Sequence, residues 1–478
     1  MEFSLQTLFS HTLTLLYIYT IIAIIIAILL DNRDPAKSLA WITILILLPL
    51  LGILLYLFFG HDFRKQKIIT RKSVRHIKNR PAPICDISNV DMQQLTDQQQ
   101  HLIQLLMKVG EAPVYAGSKI DVYTDGASTF EAMFTAIEQA KQHIHIEFFI
   151  FENDRVSNRL RELLIKKAKE GVRVRMIYDY LGSWRLPKSY IRSLRAAGVY
   201  VRSFLPVRFR MTRFKINYRN HRKVLVVDGK VGFTGGLNIA DRYLYGNQLG
   251  QWRDTFVRIE GNAVHGLQAN FLIDWLFVDR KLIVDSKYYP EMPTYDDNLV
   301  QFVASGPDSD WENIMHGLTH AIMTSTKYVY MHTPYFVPSQ SVVSAIHTAA
   351  LSGVDVRLLI PERSDSPISA AATKSYIGRL LEAGVKVYFY QNNFLHSKSI
   401  VIDDMVSSIG SANLDERSGN QNFELNAFIY DIDTAAKLKH HFLNDLEHSR
   451  EIDIESWNQR SGWEKLKESI SRLFVPLL

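Results

Sequence analysis

The chain has 478 residues, 47% of them hydrophobic, and a net charge of +6 from 55 Lys and Arg against 49 Asp and Glu. That length leaves room for about two domains of ordinary size beyond a membrane segment, and the apolar content can supply their cores. A single cysteine, Cys85, excludes any internal disulfide and fits a reducing compartment.

Two apolar runs open the sequence, Leu13 to Leu30 and Leu39 to Phe59. Each approaches the roughly 20 residues that a helix needs to cross a bilayer core, so residues 1–60 are predicted as a transmembrane helical hairpin. A cleaved signal peptide fits poorly, because no basic stretch precedes the first run, no small-residue cleavage site follows it, and a second run comes at once. Beyond the second run lie Arg64, Lys65, Lys67, Arg71, Lys72, Arg75, Lys78 and Arg80, while the connector Asp31 to Ser38 is mixed in sign. Basic residues beside a span mark its cytoplasmic side. Residues 61–110 therefore read as a basic cytoplasmic linker, and the body that follows as cytoplasmic.

Residues 111–290 and 291–450 read as two copies of one α/β unit. Ala136-Ile137 leading to Ile144-His145-Ile146-Glu147 parallels Ala321-Ile322 leading to Val329-Tyr330-Met331-His332. Gly171-Val172-Arg173 parallels Gly353-Val354-Asp355, and Ala197-Gly198-Val199 parallels Ala383-Gly384-Val385. The recurring order of helix, strand, helix, strand argues a layered α/β fold built by duplication. Glu147 and His332, repeat partners near a strand end, are secondary candidates for a pocket wall.

From Arg208 to Arg219 basic residues alternate with mostly apolar ones, and the second copy has no counterpart. A solvated loop or a nucleic-acid patch would suit that pattern. The favoured reading is a membrane-facing strip through Arg208, Arg210 and Arg213, since anionic headgroups attract basic side chains by about 1 kcal/mol each.

Each copy then carries the pattern H-x-K-x4-D-x6-G-x-x-N: His221, Lys223, Asp228, Gly235 and Asn238, then His396, Lys398, Asp403, Gly410 and Asn413. A five-position match at identical spacing is hard to obtain by chance. Lys223 to Asp228 and Lys398 to Asp403 are β-rich runs ended by turn residues, so each copy reads as a hairpin. His and Lys, two apart on a strand, point to the same side.

Two such sets brought together suit phosphoryl transfer. One neutral imidazole attacks phosphorus and the other, protonated, donates to the leaving oxygen, while the lysines and the Asn238 and Asn413 amides neutralise the non-bridging oxygens. Ser411 adds a hydroxyl to the second phosphate site, where the first copy has Gly236. Asp228 and Asp403 are either part of the catalytic set or anchors of the hairpin through charge-assisted hydrogen bonds. His316 and His320 lack the glutamate of H-E-x-x-H, and no G-x4-G-K-[ST] stretch is present. Neither a metal nor another cofactor is expected.

The paired motifs resemble those of the phospholipase D superfamily. Asn32-Arg33-Asp34-Pro35, Gln251-Trp252-Arg253-Asp254, Ser305-Gly306-Pro307-Asp308, Thr333-Pro334-Tyr335-Phe336 and Arg472-Leu473-Phe474 extend the likeness, over nearly the whole chain, to bacterial cardiolipin synthases. The resemblance implies two similar phospholipase D-like halves, each a mixed β-sheet flanked by helices, meeting at the motifs. It also implies that Asp254 and Glu424, each downstream of its own histidine, accept that histidine's other ring N–H.

The implied reaction passes a phosphatidyl group from one phosphatidylglycerol to another through a phosphohistidine and frees glycerol, with His221 as nucleophile and His396 as acid and base. Phosphatidylglycerol and anionic lipids of a bacterial inner membrane are the expected partners, nucleic acid is not, and a homo-oligomer is compatible. Alternatives are a phospholipase D hydrolase, another phosphatidyltransferase or, from a different class, a membrane scaffold. Residues 451–478 look amphipathic, with Leu466, Ile470, Leu473 and Phe474 at helical spacing. They are expected to pack on the body rather than lie in a lipid interface.

Overall fold

A computed structural model describes residues 5–30, 35–59, 95–206 and 217–473. Arg208, Arg210, Arg213 and Phe474, and most of the basic linker, lie outside the described residues. The chain divides into two compact units, a small one around Met1–Phe63 and a large one of Arg64–Pro206 with Tyr218–Leu478.

In the small unit Leu5–Leu30, Pro35–Leu47 and Pro49–Phe59 are helices. Pro49 has no N–H to continue the ladder, so the second apolar run is two short helices broken at Leu48 rather than one span. Gly52 permits the bend, since a Cβ there would meet the Ile44 carbonyl oxygen at 2.8 Å. Ile28, Leu45 and Tyr56 form a small buried cluster, with Trp41 edge-on to Tyr56 at 5.5 Å. Among the described residues no helix is long and apolar enough to cross a membrane.

The large unit holds two sheets. Its first strands are β1 (Val114–Ala116), β2 (Lys119–Tyr123), β3 (His143–Phe148), β4 (Arg173–Asp179) and β5 (Tyr200–Phe204). Next come β6 (Arg219–Asn220), β7 (Val224–Val227), β8 (Val231–Gly235), β9 (Trp252–Arg253) and β10 (Phe256–Glu260). The second half supplies β11 (Leu299–Ser305), β12 (Tyr328–His332), β13 (Phe336–Val337), β14 (Asp355–Pro361), β15 (Lys386–Tyr390) and β16 (Phe394–Leu395). It ends with β17 (Ser399–Ile402), β18 (Val406–Gly410), β19 (Leu414–Asp415), β20 (Asn422–Tyr430) and β21 (Ser449–Glu451).

One sheet runs β2-β10-β8-β7-β3-β4-β5, and the other contains β11-β20-β18-β17-β12-β14-β15 in the matching order, with β1 and β21 added at its ends. In both, the last three strands are parallel and the others antiparallel, so the sheets are mixed. The duplicated segments fall on equivalent strands: Ile144 and Val329 on β3 and β12, Gly171 and Gly353 just before β4 and β14. Those two glycines have φ of +91° and +92°, a turn that a side chain would strain. Buried on every residue, β3 and β12 are central strands covered on both faces.

Each half has its own apolar core. The helix Val264–Asp279 is buried nearly all round, as an element between two layers must be. At Gly266 a Cβ would meet Phe302 of β11 and Tyr115 of β1, at 2.5 and 2.8 Å, so this helix also touches the second half.

The boundary expected at residue 111 does not separate the halves. Asp97–Gly110 is a helix started by a Thr96–Gln99 capping box, and its Leu102, Ile103 and Leu106 belong to the second half's core. β1 pairs with β11 of that half as well. At the other end, Gly462–Leu473 lies along the helix Pro367–Glu382. Its apolar stripe does not pack as expected: Trp463, Leu466, Ile470 and Leu473 are 74%, 48%, 45% and 74% exposed. Glu468, held by Arg460 at 2.6 Å, is the buried residue of that helix.

The motif aspartates sit at the far end of their strands from the histidines, roughly 16 Å from the motif lysines at ~3.3 Å per residue. Asp228 accepts from the backbone N–H groups of Lys141, Gln142 and His143 at 2.7–2.8 Å, and Asp403 from those of Thr326, Lys327 and Tyr328 at 2.6–2.8 Å. Of the two roles left open for them, the contacts are those of hairpin anchors. Hydrogen bonds to a charged acceptor contribute roughly 1.5–3 kcal/mol each, so Asp403→Ala should lower the melting temperature of the solubilised protein by several degrees while its folded fraction keeps turnover. Unchanged stability with lost turnover would instead make the aspartate a chemical participant.

Candidate active site

The two motifs meet by exchanging short strands. β6, which leads into His221, pairs in parallel with Asn422-Phe423 of the second half, and the His221 N–H donates to the Phe423 carbonyl at 2.9 Å. β16, leading into His396, pairs in parallel with Trp252-Arg253 of the first half, and the His396 N–H donates to the Arg253 carbonyl at 2.7 Å. Each motif histidine is thus suspended from the backbone of the other half.

This exchange decides which carboxylate meets which histidine, and it corrects the expected pairing. His221 Nδ1 lies 3.0 Å from both carboxylate oxygens of Glu424, and His396 Nδ1 lies 2.6 Å from Asp254 Oδ2. The acid downstream of each histidine serves the histidine of the opposite half. With Nδ1 on a carboxylate, Nε2 is the ring nitrogen left for chemistry.

The two acids are supported differently. Glu424 also accepts from the Ser411 and Ser418 hydroxyls and the Asn422 amide. Burial pushes it up, but His221, Lys223 and Ser411 outweigh that and hold it below the usual carboxylate range. Ser411, expected at a phosphate, is fully buried and spends its hydroxyl on Glu424. Its counterpart Gly236 makes room instead: a Cβ there would fall 2.2 Å from Asp254 Oδ1. Burial raises Asp254 to about 6, with Lys398 opposing.

His221, His396, Asn238 and Asn413 line one cavity of about 320 Å³. Burial lowers His221 to about 4 against the pull of Glu424. Burial, then the charges of Lys398 and Lys223, holds His396 well below its ordinary value. Tyr243, Trp252 and Phe394 crowd the His396 ring at 5.7, 5.2 and 5.9 Å between centroids, while Phe149 stands edge-on to His221 at 5.0 Å. Asn238 is occupied, accepting from the Ile150 N–H and donating to the Tyr243 hydroxyl. The Asn413 side chain hydrogen-bonds Asp415, and its Oδ1 is buried without a partner among the described residues.

The lysines stand behind this wall rather than on it. Lys223 Nζ donates to the His221 carbonyl at 2.6 Å, and Lys398 Nζ to the His396 carbonyl. Burial draws Lys223 down to about 7 and Lys398 to about 8. Glu147 and His332 are off the cavity too: Glu147 meets Asn220, and His332 meets Asp445 at 3.1 Å. Sequence reasoning passed over Arg242 and Arg417 and read Arg219 as the end of a basic strip, and all three are on the cavity wall. Arg242 and Arg417 each follow the motif asparagine by four residues, so extending the repeat by those positions would have found them.

Gly236→Ser should cut turnover at least ~100-fold, because it displaces the carboxylate that orients His396. Adding Asp254→Glu rebuilds the Ser411–Glu424 arrangement and should recover part of the loss, since touching residues are not additive. An active single variant would overturn the role given to that carboxylate.

A family model described as "Cardiolipin synthase, PLD-like domain" matches residues 133–275 and 318–446, and one described as "Phospholipase_D-nuclease N-terminal" matches 15–61. The major cardiolipin synthase ClsA of Bacillus subtilis (strain 168) is 40% identical over 98% of this chain and 99% of its own. A cardiolipin synthase of Geobacillus kaustophilus (strain HTA426) is 43% identical over 96% and 92%. The crystal structure of phosphatidylserine synthase from Haemophilus influenzae Rd KW20 shares the fold with a TM-score of 0.62 at 16% identity, covering 79% of this chain and all of that one. With both motifs on equivalent strands of two like halves and these relatives matching end to end, the chain belongs to the cardiolipin synthase family of the phospholipase D superfamily.

Proposed function

We propose that the protein joins two phosphatidylglycerol molecules into cardiolipin and releases glycerol, through a phosphohistidine on His221. The observation that carries this reading is a single cavity wall holding both motif histidines, each with Nδ1 on a carboxylate of the opposite half. In the first displacement His221 Nε2 attacks phosphorus, the bond to the glycerol oxygen breaks, and that oxygen takes a proton from His396. In the second, His396 removes the proton of the incoming lipid's hydroxyl as its oxygen attacks phosphorus. The N–P bond then breaks with its electron pair returning to His221.

His221 suits the nucleophile because bonding to phosphorus leaves its ring cationic, and Glu424, held ionised by three further donors, stabilises that charge. His396 suits proton transfer because Asp254, raised to about 6 by burial, titrates near neutrality beside it. The bound phosphodiester supplies the negative charge that favours a proton on His396. The lysines act through space from beneath the histidines. Phe149, Tyr243 and Trp252 around the histidines support transfer over hydrolysis by excluding water.

Membrane residence belongs to the same reading. The apolar runs Leu13 to Leu30 and Leu39 to Phe59 and the match of residues 15–61 to the N-terminal family model support attachment to a membrane, and the basic residues after Phe59 support a cytoplasmic body. The exposed stripe of Trp463, Leu466, Ile470 and Leu473 suits a lipid interface.

Purified protein given phosphatidylglycerol alone should yield cardiolipin and glycerol in equal amounts, and a trapped phosphoenzyme should carry its label on His221. Phosphatidic acid as the main product would make the protein a hydrolase, and a label on His396 would exchange the two roles.

The lysines give a pH dependence. Their depressed values, about 7 and 8, mean both are charged below neutrality and lose charge as pH rises through those values. A bound phosphate favours the charged forms, so the loss falls on KM. We expect kcat/KM to decline from about pH 7 upward while kcat changes less; a kcat/KM flat to pH 10 would remove the lysines from phosphate binding.

A further inference from the structure

The cavity wall carries charges of both signs, with the acids Asp365, Asp415 and Glu416 on it. Beside the motif residues, Arg219, Arg242 and Arg417 are on its wall. Arg242 and Arg417 occupy the same place in the two repeats, but their surroundings differ. Arg242 is ion-paired with Glu152 and lies over the Trp252 ring at 5.1 Å.

Arg417 Nε donates to Asn422 Oδ1 at 3.3 Å, and Asn422 is the register partner of Arg219 in the β6–β20 ladder. Arg219, whose guanidinium donates to the Tyr218 carbonyl at 2.7 Å, and Arg417 thus come from the two halves to the same cavity wall as His221. The position equivalent to Arg219, two before His396, is Phe394, so the His396 side has no such pair.

Burial works against the Arg219 charge, Asp179 supports it, and Arg417 adds a smaller repulsion. Burial opposes the Arg417 charge too, with Asp415 and Glu424 in support. Two partly desolvated like charges on a substrate cavity are relieved by an anion between them, and guanidinium groups match phosphate oxygens in a fork.

We propose that Arg219 and Arg417 form a second phosphate subsite that holds the unreactive phosphodiester of the acceptor lipid. The inference rests on the reaction proposed above. In that reaction the phosphoryl group on His221 is passed to a hydroxyl whose own phosphate lies one glycerol away. The acceptor's oxygen bonds to phosphorus, its proton goes to His396, and the N–P electron pair returns to His221. Arg219 and Arg417 touch none of these atoms. They bind the far end of the acceptor, which makes a phosphate-bearing alcohol a better acceptor than glycerol or water.

The test compares two reactions of the full-length protein in phosphatidylglycerol–detergent micelles. One is cardiolipin formation, and the other is exchange of labelled glycerol into phosphatidylglycerol, whose acceptor carries no phosphate. Arg219→Gln and Arg417→Gln should each reduce cardiolipin formation at least tenfold relative to exchange, through a higher half-saturating phosphatidylglycerol concentration. Arg417→Lys should fall between.

Equal losses in both reactions, or no loss in either, would overturn the subsite. A measurement on the unaltered protein needs no variant to fold: glycerol 3-phosphate should capture the phosphatidyl group more effectively than glycerol at the same concentration, and parity would also overturn the proposal. If the unaltered protein releases phosphatidic acid and neither makes cardiolipin nor exchanges glycerol, the synthase reading itself fails, and the subsite falls with it.

Discussion

Everything at the site depends on two short parallel ladders that cross between the halves, β6 against β20 and β16 against β9. Each is only two residues long, yet each continues through one more backbone hydrogen bond into the histidine itself. The ladder ends where the acid begins: Phe423 is followed by Glu424, and Arg253 by Asp254. A main-chain hydrogen bond between halves and a carboxylate–imidazole contact are thus consecutive links of one chain. Orientation of the imidazoles then comes from rigid backbone rather than from mobile side chains, which is what preorganised catalysis requires.

Duplication creates a nearly symmetric site, and a few substitutions make its halves unequal. A shorter acid goes with a glycine that clears space for it, Asp254 with Gly236; a longer acid goes with a serine that donates to it, Glu424 with Ser411. The aromatic rings gather around His396, while Glu424 has the larger set of donors beside His221. One backbone plan therefore supports two acid–imidazole pairs with different proton affinities, the asymmetry on which the proposed division of acid and nucleophile roles draws.

Much of this was legible in the sequence, for identifiable reasons. The motifs were visible because five positions recur at one spacing, and the α/β repeat because glycine-started strands recur in order. The crossed acid pairing was not, because strand exchange is a tertiary event with no local signature; proximity in sequence pointed to the wrong histidine. Strand periodicity aimed Lys223 and His221 into one pocket, but residues 221–223 lie between β6 and β7, and the Lys223 side chain turns back to the His221 carbonyl behind the wall. Ser411 looked like a phosphate ligand because hydroxyls commonly are, and only the fold reveals Glu424 beside it. The break at Leu48 could have been anticipated from Pro49, whose missing N–H is evident in any apolar run.

The helix Asp97–Gly110 and β1 carry a consequence for how the molecule comes into being. They emerge from the ribosome before the first half, yet their partners, among them Ile314, Leu318 and β11, are made some 200 residues later. A chain elongated from its N-terminus must hold that segment in waiting while the first half assembles around its own core, and sequestration of Leu102, Ile103 and Leu106 comes late. Closures so distant in sequence are slow, and the interval leaves an amphipathic helix without its seat. Synthesis beside a membrane or a chaperone would shelter it, and a chain cut between the halves would need the downstream fragment to recapture the upstream one before either could be complete.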